Sequence, residues 1–237
     1  MFKTILFDLD GTLLPMELEE FVHAYFHALT SYLHDLISPK KLLHYLDLAT
    51  NEMIQNNGKQ TNEEVFHSTF FNLLNEDPSV YMERFDQFYT KEFPKIQSTV
   101  GFSPIMKKSV QTLKNKGYEL VIATNPLFPR LAIEHRIHWA GLQPKDFIHI
   151  TSYETCHFSK PHINFFKEVL ENIQRNPQDC LMVGNDVQED LVANQTGIKT
   201  FLITDHLIHR SEEKITTNFK GTYEDFYDFA KNLPVVM

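Results

Sequence analysis

Residues 2–15 read FKTILFDLDGTLLP, and the order of that stretch decides the fold. Phe2 to Phe7 is a short, apolar, β-leaning run that stops at Asp8. That is the pattern of a buried strand whose carboxyl end delivers polar groups to the surface. Gly11 and Pro15 then mark a tight turn. Side chains alternate with a period of two in an extended segment, so Asp8 and Asp10 point the same way. Two carboxylates aimed at one spot without a basic neighbour repel each other, which is costly unless a cation or a shared proton lies between them. A hard divalent ion such as magnesium, held by a few carboxylates plus a substrate phosphate, meets that need best. Gly11 permits the sharp turn that keeps Asp10 near Asp8. Taken alone, DLDG reads equally well as an acidic surface turn.

Beyond Pro15 the rhythm changes. Leu18, Phe21, Val22, Tyr25, Phe26, Leu29, Tyr32, Leu33 and Leu36 recur at three- and four-residue spacing, which predicts an amphipathic helix over 17–36. Further helices are expected over 40–55, 62–75 and 79–92, punctuated by Asn-Gly, Asn-Glu-Asp-Pro and Phe-Pro. No strand is expected between Pro15 and Pro94. From Phe102 onward helices and strands alternate, with helices over 104–116, 129–139, 163–173, 188–194 and 223–233 and strands over 118–123, 147–150, 180–183 and 199–203. Lys160-Pro161 places a proline near the first turn of the helix at 163. Residues 205–222 read as a surface loop with room for a short strand.

Strands alternating with helices of this length imply right-handed crossovers and a parallel sheet covered on both faces. The expected architecture is therefore α/β. A discontinuous Rossmann-like core of residues 1–15 and 97–237 carries a mostly helical cap, residues 16–96, inserted after the first strand. The insertion leaves at the carboxyl edge of the sheet, where ligands bind in such folds.

Composition narrows the function. The chain has 237 residues, 42% of them hydrophobic and 22% charged, enough for a sizeable core. Its net charge of -9 gives no general attraction to nucleic acid or to an anionic membrane. Two cysteines, Cys156 and Cys180, exclude a disulfide scaffold. The first residues carry acids and no apolar h-region, and no stretch approaches the length of a membrane span, so a cytoplasmic protein is expected. The 20 phenylalanines read as core packing. None of the 12 histidines stands at a zinc-binding spacing.

FDLDGTL, directly after an N-terminal hydrophobic strand, closely resembles the first motif of the haloacid-dehalogenase-like (HAD) hydrolases, most of them magnesium-dependent phosphatases. The other family motifs follow in order. A strand ending in Thr or Ser is matched by VIATN with Thr124, a lysine before a helix by Lys160-Pro161, and a strand leading to spaced acids by MVGNDVQED with Asp186 and Asp190. The resemblance covers essentially the whole core. It implies that Asp8 is a nucleophile forming an aspartyl-phosphate, and that Asp10 is the general acid and then the base. Thr124 and the main-chain N–H of Asn125 would bind phosphoryl oxygens, and Lys160 would neutralise both the phosphoryl group and Asp8. Asp8, Asp10 (through its main-chain carbonyl) and Asp186 would hold Mg2+.

The fourth motif departs from its common form. Asn185 stands where the first acid usually is, and Gly184 keeps its spacing to Asp190. Asp190 is then a ligand through water or an orienter of Lys160, the two acids could exchange roles, and Asn185 is an alternative neutral ligand. Asp10 separates the phosphatases from the dehalogenases, whose halide leaving group needs no proton. The expected reaction is hydrolysis of a small phosphomonoester such as a sugar phosphate, a nucleotide or a phosphoglycolate-like acid. A phosphomutase or a phosphonate hydrolase of the same superfamily is the alternative, the latter needing a cap lysine such as Lys40, Lys41 or Lys59. Specificity is expected from cap residues near the mouth, among Met16, Glu17, His23 and Tyr25. His162 reads as a first-turn residue, and Cys156 has no visible base. Monomer and homodimer are equally open.

Overall fold

The computed structural model describes residues 2–236. Six parallel strands form one sheet in the order β3-β2-β1-β4-β5-β6. They are β1 (Thr4–Phe7), β2 (Glu119–Ile122), β3 (His149–Ile150), β4 (Cys180–Gly184), β5 (Lys199–Ile203) and β6 (Phe219–Gly221). The chain builds outward from β1 to β3, then crosses back to lay β4 against the other side of β1. This reversal is the switch point where the crossovers diverge and a crevice opens. Register fixes what faces it. Phe7 pairs with both Ile122 and Val183, so the residues that follow all three strands leave at one edge.

Each sheet face is closed by its own helices. Leu6, Val121 and Met182 point to one side and pack against Phe165, Phe166 and Val169 of α7 (Ile163–Ile173). Ile5, Phe7 and Ile122 point to the other, where α5 (Pro104–Asn115) and α8 (Tyr223–Asn232) lie. Phe165 and Phe166 are wholly buried, each contributing about 1.5–3 kcal/mol of apolar burial. Local signals start the helices. Ser103 caps α5 ahead of Pro104, and Thr222 and Asp225 form a reciprocal capping box for α8.

The helical insertion consists of α1 (Leu18–Tyr32), α2 (Pro39–Ile54), α3 (Asn62–Leu74) and α4 (Pro78–Gln87). The helix expected over 79–92 does not run its full length. It passes into a π-helical turn at Phe88–Glu92 and a 3₁₀ segment at Phe93–Thr99. Pro94 offers no N–H to an α-helical turn, and the widened turn keeps Phe88 and Phe93 fully buried. Phe93 there stacks on Trp139 of α6 (Arg130–Trp139) with ring centroids 5.4 Å apart. The insertion is also tied to the core by main-chain bonds. Asn62 N–H donates to the Cys156 carbonyl at 2.8 Å and Glu63 N–H to that of Tyr153 at 2.9 Å.

One further helix starts later than expected, and the readings of Pro161 and of residues 205–222 hold. The segment 188–194 begins as a turn, because Asp186 Oδ1 accepts the N–H groups of Gln188 and Glu189, both at 3.0 Å; helical winding starts only at Leu191, as a 3₁₀ segment to Thr196. Pro161 lies outside α7, whose N-cap is His162; its Nδ1 accepts from Asn164 N–H at 3.1 Å. The loop over 205–222 does contain a strand, β6, which extends the sheet beside β5. Among the described residues, no helix is long and apolar enough to cross a membrane.

Candidate active site

A cavity of about 260 Å3 opens at the switch point, and Asp8, Asp10, Gly11, Thr124, Asn125, Asn185, Asp186 and Asp190 all line it. Three chain segments converge there because the sheet register ends β1, β2 and β4 at one level. Asp8 is 8% exposed. Its Oδ1 receives Lys160 Nζ at 2.9 Å. Thr12 Oγ1 lies 3.4 Å from Asp8 Oδ2 and 2.9 Å from Asn185 Oδ1. A hydroxyl has one proton, so the shorter contact takes it and Asp8 Oδ2 keeps its lone pairs free.

Lys160 is buried between two acids, its Nζ also lying 2.6 Å from Asp190 Oδ1. Burial alone would lower its pKa, but the Asp190 and Asp8 carboxylates more than offset this and the net shift is upward. Asp190 is pushed up, chiefly by burial and against the pull of Lys160. Its Oδ2 accepts the Asp186 N–H at 2.9 Å. Gly184 leaves room for this carboxylate, since a Cβ there would stand 2.0 Å from Asp190 Oδ2.

Asp10 pairs through Oδ2 with Arg136 Nη1, while its Oδ1 is buried with no partner among the described residues. Burial raises the Asp10 pKa and Arg136 works against the rise. Thr124 is 3% exposed at the end of β2. The Asn125 side chain braces the loops: Oδ1 accepts Lys160 N–H at 3.2 Å and Nδ2 donates to Glu189 Oε2 at 3.1 Å. Gly11 has φ 78°, and a Cβ on it would sit 2.3 Å from Asn185 Nδ2.

The fourth-motif acids take different positions. Asn185 is turned to internal bonds, accepting from Thr12 and donating Nδ2 to the His206 carbonyl at 2.6 Å. Its amide oxygen and nitrogen each meet one protein partner, and the oxygen keeps a second lone pair. Asp186 faces the cavity, with its Oδ2 2.6 Å from Arg210 Nη1.

Asp8, Asp10, Asp186, Glu189 and Asp190 meet Lys160, Arg136 and Arg210, leaving the site two more negative than positive. Among the described residues no three Asp, Glu, His or Cys side chains form a ready cation cluster. A divalent ion must therefore be met by two carboxylates with main-chain and phosphate oxygens. The excess of formal negative charge and the all-oxygen donors fit magnesium.

Several expected residues lie elsewhere. Met16 lines this cavity, and Tyr25 lines a neighbouring one, but Glu17 and His23 line neither. Lys40, Lys41 and Lys59 are exposed and line neither, which removes the amine a phosphonate hydrolase would need. Burial pushes the Cys156 thiol up to about 12. Sequence reasoning missed Arg136, Arg210, Glu189 and Thr12. Arg136 had a signal, because it shares the apolar stripe of α6 with Ala132, Ile133 and Ile137; an arginine on such a stripe needs a buried partner.

Residues 5–203 match the family described as haloacid dehalogenase-like hydrolase. The curated pyrophosphatase PpaX of Bacillus cereus (strain Q1) is 25% identical over 203 residues, spanning 85% of this chain and 83% of the relative. A HAD phosphatase from Thermococcus onnurineus superposes with a TM-score of 0.61 at 18% identity, over 99% of this chain and 100% of that one. The putative HAD-hydrolase YfnB of Bacillus subtilis, solved bound to magnesium, gives a TM-score of 0.58 at 21% identity over 98% and 99% of the two chains. At these identities the two structures speak for the fold alone.

Proposed function

The chain belongs to the haloacid dehalogenase-like hydrolases, and from that premise we propose that it is a magnesium-dependent phosphomonoesterase acting on a small metabolite through an aspartyl-phosphate. The observation that carries the reading is the Asp8 carboxylate, one oxygen held by Lys160 at 2.9 Å and the other free, in a cavity shared with Asp10 and Thr124. Relatives named as phosphatases support it, PpaX on pyrophosphate and a Methanothermobacter thermautotrophicus glyceraldehyde 3-phosphate phosphatase on part of the chain.

In the first half-step Asp8 Oδ2 attacks phosphorus, and the bond to the ester oxygen breaks. Asp10 gives its proton to that oxygen, a task helped by the burial that raises its pKa. Lys160 offsets the negative charge as anion approaches anion, and Thr124 with the Asn125 N–H holds phosphoryl oxygens. In the second half-step Asp10 takes a proton from water, the water oxygen attacks phosphorus, and Asp8 is released with inorganic phosphate. Asp8, Asp186 and the Asp10 carbonyl would hold magnesium. The ion, when bound, supplies neutralisation of the phosphoryl charge. The helical insertion contributes Leu18 and Val22 to the cavity wall and shields the first half-step from bulk solvent.

The test is phosphate release from a panel of phosphomonoesters and pyrophosphate, in magnesium and in EDTA, beside Asp8→Asn. Magnesium-dependent release that vanishes in the variant supports the reading. Release that persists in Asp8→Asn overturns it.

A further inference from the structure

A second cavity, of about 450 Å3, adjoins the catalytic one under the inserted helices, and the two share Val22, Leu127 and Phe128 as a common wall. Its size is that of a small-molecule site. The lining is aromatic: Tyr25, Phe66, Phe85, Tyr89, Phe128 and Tyr153 all contribute. The Tyr25 and Tyr89 hydroxyls bond to each other at 2.8 Å, and burial raises both phenols, so they stay neutral.

The charges in this cavity have one sign. Glu63, Asp86 and Glu154 line it, and among the described residues no lysine or arginine does. Burial lowers the pKa of His67, the histidine in the lining, so it supplies no compensating charge near neutral pH. Glu154 Oε1 accepts the Arg130 N–H at 2.7 Å, but Oε2 is buried with no partner among the described residues. The Glu63 pKa is pushed up by burial and then by Glu154, Glu64 and Asp86. Carboxylates among aromatic rings, with no lysine or arginine beside them among the described residues, make a receptor for a positive charge, because the face of an aromatic ring carries a negative quadrupole potential.

We infer that this cavity receives the organic half of the substrate and selects phosphomonoesters whose alcohol bears a positively charged, ring-containing group. The inference rests on the phosphatase reading above. With the phosphoryl group beside Asp8, the alcohol portion extends past Val22 and Phe128 into the second cavity. A carboxylate-bearing or bisphosphate substrate would meet three like charges there and is disfavoured.

Two measurements on the full chain separate the cavity from the chemistry. Titration calorimetry with benzyltrimethylammonium, which carries no phosphate, reads the cavity alone. It should bind about tenfold more tightly than benzyl alcohol, and about tenfold more tightly than it binds to a Glu63→Gln/Asp86→Asn variant. Among the described residues neither of those two side chains makes a hydrogen bond or an ion pair, and the bond recorded at Asp86 uses its main-chain carbonyl, so the variant should keep its melting temperature. In parallel, kcat/KM is measured for three benzyl phosphates carrying a meta trimethylammonio, tert-butyl or carboxylate group. The expected order is cation, neutral, anion, with the spread collapsing in the variant. No binding of the ammonium ion, or equal turnover of the three esters, overturns the inference and leaves the phosphatase reading intact. Charge-selective binding with no ester hydrolysed overturns the phosphatase reading, and with it the assignment of the cation to a substrate.

Discussion

Arg136 and Asp10 form a buried ion pair that ties α6 to the turn after β1, with the arginine side chain 1% exposed and the aspartate 21%. The guanidinium lies over the Phe128 ring, 4.6 Å from its centroid, and 5.9 Å from that of Phe21 on α1. One residue of the core thus touches the proposed proton donor and the inserted helices together. Its Nη2 has no partner among the described residues, and the side chain lines the catalytic cavity.

The pair sets the charge state of Asp10. As general acid Asp10 must carry a proton, so activity falls as pH rises through its pKa. Burial raises that pKa and Arg136 lowers it. In Arg136→Gln the lowering influence is gone, Asp10 keeps its proton to higher pH, and the alkaline limb of kcat should move up. A pH profile of kcat checks this, and a limb that stays or moves down would count against Asp10 as the acid.

Asp8→Asn should reduce kcat by about a thousandfold or more, since the attacking oxygen is lost. Lys160 keeps Asp190 at 2.6 Å, so no buried charge is left without a partner and stability should change by about 1 kcal/mol or less. Single-turnover assays and urea unfolding of the same preparation separate the two effects.

Lys160→Met should cost stability as well as activity. It strips the cation from between Asp8 and Asp190, which are 12% and 1% exposed in their side chains. Breaking such a buried arrangement costs about 3–5 kcal/mol. Adding Asp190→Asn should recover part of the loss, because it removes one of the two facing carboxylates. Denaturant midpoints of the wild type, both single variants and the double variant measure that coupling.

What was legible in the sequence follows from where each residue sits. Asp8, Thr124, Asp186 and Asp190 stand at or just past strand ends, where an apolar run stops at a polar residue, and the structure brings them to one cavity. Lys160 is announced by the Pro161 beside it. Arg136 is hidden in a helix, where burial depends on what packs against it, although its place on an apolar stripe was a usable mark. Arg210 lies in a weakly patterned segment, which long-range contacts bring to the site: the isolated bridge between Asp186 and Ile208 and the bonds from Asn185 to His206 and from Arg210 to Gln188. The widened turn at Phe88–Glu92 likewise depends on tertiary packing of Phe88 and Phe93, to which helical periodicity is blind.

Arg210 competes with a cation for Asp186. Its Nη1 lies 2.6 Å from Asp186 Oδ2, with the arginine side chain 48% and the aspartate 9% exposed. A magnesium ion reaching Asp186 must displace this guanidinium, which has solvent to move into. A half-exposed ion pair is worth about 1 kcal/mol, so Arg210→Ala should tighten magnesium binding by roughly fivefold. Calorimetric titration of magnesium into both proteins measures this without substrate, and the thermal stabilisation by a fixed magnesium concentration should rise in the variant by the same linkage. Weaker binding in Arg210→Ala would mean that the arginine orients Asp186 for the ion, and the competition would be wrong.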